Sequence, residues 1–404
     1  MCEKLRKLRD GLDTLAVFRN IREDGTVKCM IKLLDAACGD KKDILRLYAD
    51  FAGSLYEHSA DFTDYLLKLV CDDDNLLVRA VGQNITPDRY ISEAAENELR
   101  ILQRLSRLRP HDFEPLTEHS VYLPQWRVHD ADFSEEYRRR LADISSLGFG
   151  KWAKSPMFTL RDGCIVPVPH PDVHCLSELY GYERERGEVT ANTLALLDGK
   201  PALNVLLYGD AGTGKSTTVK ALAGEFADRG LRIIEITKEQ LRSIPDVLAE
   251  ISGNPLKFII FIDDLSFASD DDSFAVLKSA LEGNAAAKVP NAVIYATSNR
   301  RHIVRERFSD RDGDDIHRND TVQELISLSA RFGLTVGFSK PDKKSYLDIV
   351  SKLAAADGIA FNDETAVKAE AFALRGSGRS PRTARQFVDS LINIQDLTGD
   401  TAVR

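Results

Sequence analysis

Residues 206–222 read LLYGDAGTGKSTTVKAL, an apolar run that meets a helix-forming run through Gly209, four intervening residues, and then Gly214, Lys215 and Ser216. Glycines at such a joint permit backbone angles and close approaches that a Cβ would block, so successive N–H groups and the start of a helix can surround phosphate oxygens. The spacing therefore predicts a phosphate cradle over Gly209, Asp210, Ala211, Gly212, Thr213, Gly214, Lys215, Ser216 and Thr217. In that reading Lys215 reaches the β and γ phosphates of ATP, and the Ser216 hydroxyl is offered to Mg²⁺. The alternative is a glycine-rich turn that matches by chance.

Such a cradle needs a carboxylate from a neighbouring strand. The run FIIFIDDL, ending at Leu265, supplies Asp263 as the metal-side acid and Asp264 as the group that polarises an attacking water. A plainer reading has Asp264 only beginning the next loop.

Working outward, five short apolar runs alternate with helical patterns: NVLLY from Asn204, LRIIEI from Leu231, KFIIFID from Lys257, NAVIYATS from Asn291 and LTVGF from Leu334. Strands separated by helices predict βαβ units and a doubly wound, parallel, five-stranded α/β sheet. Before them, MFTL and CIVPV flank Arg161, Asp162 and Gly163, the pattern of a β-hairpin. Helical periodicity covers Ile44, Tyr48, Phe51 and Leu55, then Phe62, Leu66 and Leu69. A further helix is expected to open at Thr86 and Pro87 and to stop at Pro110. Beyond Ser339 only helical patterns follow. The expected division is a mostly helical domain over 1–150, a hairpin connector over 151–175, the α/β domain over 176–338 and a helical lid over 339–404.

Composition narrows the class. With 404 residues, 43% hydrophobic and 29% charged, the chain reads as a multidomain globular protein. No apolar run approaches the ~18 residues that would span a bilayer, and the first residues carry no export pattern. A cytoplasmic protein with no membrane partner is expected. Six cysteines without CxxC spacing read as reduced thiols, and a net charge of −9 argues against a surface that grips nucleic acid throughout.

The segments GDAGTGKST, FIIFIDDLSF, YATSNRRH and LSARFGLTVGF, in that order, resemble the AAA+ superfamily of ATPases and, more closely, a domain-of-unknown-function family of bacterial AAA+ ATP-binding proteins. The likeness covers about Leu176 to Ile394. It implies an ATPase with a sensor at Asn299, whose amide orients water with Asp264, although Asn299 also suits a plain turn. It implies an arginine finger at Arg331, offered to the γ-phosphate of a neighbouring copy, and hence a homo-oligomer. It implies a lid arginine at Arg382, with Arg379 and Arg385 competing for that role, and a base pocket near Tyr180, Gly181 and Tyr182. One departure stands out: hydrolysing members mostly carry Glu where this chain has the shorter Asp264.

Weaker patterns carry less. Cys164, His170, His174 and Cys175 fit no standard zinc spacing, and three nearby prolines read as an extended connector. The basic run Arg300, Arg301, His302 and Arg305 is interleaved downstream with aspartates and reads as a solvated loop. Two functions remain on these residues: an ATPase acting on an unknown protein or nucleic-acid client, and an ATP-gated oligomerising switch with little turnover.

Overall fold

A computed structural model of the chain describes residues 2–39, 43–114, 122–172, 174–265, 276–277, 281, 289–299, 331–376 and 378–399. Strands Met157–Arg161 (β1) and Cys164–Pro167 (β2) form an antiparallel hairpin closed by Asp162 and Gly163, both at positive φ (50° and 77°). Two consecutive left-handed residues match the right-handed twist of the flanking strands. The other strands are Val205–Gly209 (β3), Leu231–Ile236 (β4), Lys257–Ile262 (β5), Ala292–Ser298 (β6) and Leu334–Phe338 (β7).

The sheet has seven strands in the order β2-β1-β4-β5-β6-β3-β7, and every pairing except β1 with β2 is parallel. The five-stranded expectation is thus corrected. The hairpin extends the sheet, because β1 lies parallel to β4 with Phe158 opposite Ile234. Without it, β4 would present a row of unpaired backbone groups at an open edge. Central strands are apolar on both faces: Ile259, Ile260 and Phe261 are all fully buried, as parallel strands covered by helices require.

Contacts divide the chain into two units, Met1–Lys154 with Gly253–Leu256, and Ser155–Ser252 with Lys257–Arg404. The first is helical, and its core includes Phe18, Phe51, Phe62, Leu102 and Phe133. Several of its helix starts are capped by side chains: Asp24 accepts from Val27 N, Asp61 from Thr63 N and Asn75 from Val78 N. The helix expected to open at Thr86 runs from Arg89 to Ser106 instead. Asp88 is the residue whose carboxylate accepts Tyr90 N at 2.8 Å, and it displaces the weaker Thr-Pro signal.

In the second unit, β7 is followed by three helices, Lys343–Ala356, Asp363–Arg375 and Pro381–Gly399. They enclose their own core of Tyr346, Ile349, Val350, Ala369, Phe387 and Val388. Among the described residues no helix is long and apolar enough to cross a membrane.

Candidate functional site

The turn after β3 takes its shape from glycine. Gly209, Gly212 and Gly214 have φ of +138°, +78° and +90°, in the region that L side chains avoid. A Cβ on Gly209 would lie 2.1 Å from the Phe338 carbonyl oxygen of the adjacent strand, so no other residue fits there. The helix Lys215–Phe226 starts directly after Gly214.

Lys215 is only 6% exposed. Its ammonium donates to the carbonyl oxygens of Gly209 (2.9 Å) and Asp210 (2.7 Å) and to Asn299 Oδ1 (3.2 Å). Burial pushes the ammonium below the ordinary lysine value, against the pull of the Asp210, Asp264 and Asp263 carboxylates. A desolvated cation held by neutral acceptors gains when an anion replaces them.

Parallel register brings the remaining groups to the same end of the sheet. Ile262 pairs with Ala296, so the next residues, Asp263 and Thr297, stand side by side at the tips of β5 and β6. Ser216 Oγ donates to Asp263 Oδ1 at 2.5 Å, and Thr297 Oγ1 donates to the same oxygen at 2.6 Å. Asp264 has φ +51°, a left-handed conformation that Asp tolerates better than most residues. Its N–H donates to Thr297 Oγ1 at 2.9 Å, and its Oδ1 accepts Asn299 Nδ2 at 2.7 Å. Asn299 therefore bridges Lys215 and Asp264 through the two ends of one amide. A hydroxyl beside a carboxylate, both hard oxygen donors, is the pair that suits Mg²⁺.

A cleft of about 780 Å³ opens over this turn, with Gly212, Thr213, Gly214 and Thr217 on one side and Ile349, Leu353, Pro381, Arg382 and Arg385 on the other. Its remaining wall includes His174, Glu178, Tyr180 and Arg186, and Arg186 donates to the Leu179 carbonyl at 2.7 Å. The three competing arginines separate here. Arg379 is paired with Glu370, and Arg385 holds Asp357 and Asp389 at 2.8 Å each. Arg382 and Arg385 both line the cleft, but it is Arg382 that meets the turn, its backbone N–H donating to Gly212 O at 3.2 Å.

The other expected residues divide between the cleft and places outside it. Tyr180 lines the cleft, but Tyr182 turns its ring onto Phe338 (5.2 Å between centroids) and donates to Ser339 O at 2.6 Å. Burial pushes the Tyr182 phenol up to about 12. Gly181 has φ +78°, and a Cβ there would meet Ile349 Cδ1 at 2.7 Å, so it permits close packing against the first C-terminal helix. Arg331 is half-buried just ahead of β7, whose first residue pairs with Val205 and whose last pairs with Gly209. It therefore stands at the end of these strands away from the glycine-rich turn. Among the described residues Cys164, His170, His174 and Cys175 form no ligand cluster, and His174 faces Asp172 and Glu178. Arg300, Arg301, His302 and Arg305 lie outside the described residues.

Sequence reasoning passed over Thr297 and Ser380, and it placed Asp210 in the cradle without its bond to the chain after β7. Ser380 Oγ caps the last helix by accepting Thr383 N, and Asp210 Oδ2 accepts Lys340 N at 3.2 Å. Strand alternation through Tyr295, Thr297 and Asn299 was the available signal for Thr297.

Residues 153–395 match the family model described as "Protein of unknown function (DUF815)". The chain belongs to the DUF815 family. It is an AAA+-type P-loop protein. It is similar to an AAA ATPase forming ring-shaped complexes from Kocuria rhizophila, at 20% identity over 332 residues that cover 74% of this chain and 51% of that protein. A Corynebacterium urealyticum protein of the same description is 22% identical over 315 residues, 68% of this chain and 51% of its own length. The DUF815 chain spans about half the length of the curated relatives it matches. Among solved structures, the Thermotoga maritima RuvB Holliday junction branch migration motor is similar at a TM-score of 0.39 and 18% identity, over 56% of this chain and 66% of that one. That likeness is too loose to bear on function.

Proposed function

We propose that the chain binds Mg-ATP in the cleft and hydrolyses it to ADP and phosphate at an interface between copies of itself, using the cycle to remodel or load a protein or nucleic-acid client. The observation that carries this reading is one connected set of hydrogen bonds, Ser216 to Asp263 and Lys215 through Asn299 to Asp264. It gathers a phosphate-binding cation, a metal-side acid and a candidate base at neighbouring strand tips.

In this reading the amides of 210–217 bind the phosphates, and Lys215 exchanges its carbonyl partners for phosphate oxygens. Ser216 and Asp263 hold Mg²⁺, which when bound neutralises charge on the β and γ phosphates. Asp264, oriented by Asn299, takes a proton from the attacking water. Arg331 cannot reach the turn of its own chain from the far end of a strand of five residues, about 16 Å long, so its target is the γ-phosphate of a neighbour. The relatives described as forming ring-shaped complexes agree with such sharing. Arg382 joins the turn to the C-terminal helices, which act as a lid over 339–404. The helical part over 1–150 selects the client, with 151–175 and 176–338 as the hairpin and the α/β engine.

A second reading, an ATP-gated oligomerising switch, is favoured by Asp264, one methylene shorter than Glu. Nucleotide binding and phosphate release by wild type and Asp264→Asn separate the two. ATPase action predicts that both proteins bind ATP and that the variant releases phosphate about a hundredfold more slowly. Equal release from both would leave Asp264 without a role and favour the switch.

A further inference from the structure

Asp263 and Asp264 directly follow the last residue of β5, and a carboxylate at a strand end has several staggered orientations open to it, which Ser216 alone restricts at only one oxygen of Asp263. What limits them is a hydroxyl on the next strand. Thr297 is 2% exposed, and its Oγ1 lies 2.6 Å from Asp263 Oδ1 and 2.9 Å from Asp264 N. The direction of both bonds is fixed by chemistry: a backbone N–H only donates and an ionised carboxylate only accepts, so the hydroxyl proton is turned to Asp263. A third bond, Leu265 N to Thr297 O at 2.7 Å, staples the backbone just beyond the two acids.

We propose that Thr297 is the positioning residue of the metal-side pair, holding the Asp263 carboxylate against Ser216 and fixing the left-handed turn from which Asp264 projects. The inference rests on the Mg-ATP reading above and adds to it a residue that touches neither nucleotide nor metal. Asp263 Oδ1 receives three donors, Ser216 Oγ, Thr297 Oγ1 and the Asp264 N–H at 3.1 Å. Ser216 and Asp263 would hold a divalent ion between them, and Thr297 would keep the Asp263 carboxylate from rotating when the serine contact changes. Valine matches threonine in shape and removes both hydrogen bonds, whereas serine keeps the hydroxyl. The substitution leaves the cradle of residues 209–217 intact.

The experiment measures the affinity of a fluorescent ADP analogue in EDTA and across a Mn²⁺ titration, with Mn²⁺ binding read by electron paramagnetic resonance. Wild type, Thr297→Val and Thr297→Ser are compared after thermal unfolding confirms that each is folded. Thr297→Val is expected to bind the analogue in EDTA as wild type does, to bind Mn²⁺ about tenfold more weakly in the nucleotide complex, and to be restored by Thr297→Ser. If wild type gains affinity with Mn²⁺ and Thr297→Val keeps that gain in full, the positioning role is overturned while the Mg-ATP reading stands. If wild type itself shows no Mn²⁺-dependent gain, the Mg-ATP reading fails and takes this inference with it. If Thr297→Val loses affinity equally in EDTA and in Mn²⁺, the residue supports the cradle as a whole and the proposal is wrong.

Discussion

Glu98 and Lys215 are both buried charges, 4% and 6% exposed, and they are satisfied in opposite ways. Glu98, in the helical unit, accepts the N–H groups of Ala16, Val17 and Phe18 at 2.9 to 3.2 Å. Its two oxygens take their bonds from one fixed stretch of backbone, 80 to 82 residues earlier in the chain. Lys215 is held by carbonyl oxygens of the same glycine-rich turn that a ligand would occupy, and by an amide that also reaches Asp264. A charge buried for architecture has partners that nothing else can replace. A charge buried for binding has provisional ones, and its desolvation is relieved when an anion arrives.

The largest expected effect tests the architectural half. Glu98→Leu strands the buried N–H groups of Val17 and Phe18, at about 1–3 kcal/mol each, so a loss of about 2–6 kcal/mol is expected in denaturant unfolding. ATP affinity measured below the transition is expected to hold. Lys215→Met tests the other half. Removing a charged partner of the phosphates is expected to cost about 2 kcal/mol, roughly thirtyfold in ATP affinity by calorimetry, with no loss of thermal stability. A similar fall in stability for Lys215→Met would erase the contrast.

Tyr182→Phe sharpens the boundary between the two kinds of group. The phenol donates to Ser339 O from a ring packed on Phe338, so about 1 kcal/mol of stability should be lost with nucleotide affinity unchanged. A selective loss of adenine nucleotide binding would return Tyr182 to the base pocket.

The smallest effect is in pH. Burial lowers the folded pKa of Lys215 below its unfolded value near 10.5, so the charged form is the one that folding disfavours. That cost is present at neutral pH and is relieved as pH rises through the folded value toward 10.5. Lys215→Met should therefore melt slightly above empty wild type at pH 7, and the gap should narrow by pH 10. A gap that widens with pH would contradict the sign.

These contrasts also mark what sequence could carry. The glycine-rich turn and the paired aspartates were legible because each motif is contiguous, and an apolar strand or a helix start flanks it. The hairpin was legible as a hairpin, but alternation in MFTL does not say which strand will pair with it, and β4 was the partner. Thr297 escaped because its meaning lies in Asp263, 34 residues away, reached only through the β5–β6 register. Arg379 and Arg385 competed with the favoured Arg382 in one short run, and in space carboxylates at Glu370 and Asp357 engage those two. The contact of Tyr182 was hidden for a similar reason: its ring faces Phe338, far along the chain.

The central claim is that the active site is shared between copies of the chain. Phosphate release from ATP, measured over a wide range of protein concentration for wild type and Arg331→Ala, tests it most directly. The account predicts specific activity that rises with concentration in wild type and a fall of about a thousandfold in Arg331→Ala at unchanged ATP affinity. Activity strictly proportional to protein concentration, and equal in the variant, would contradict it.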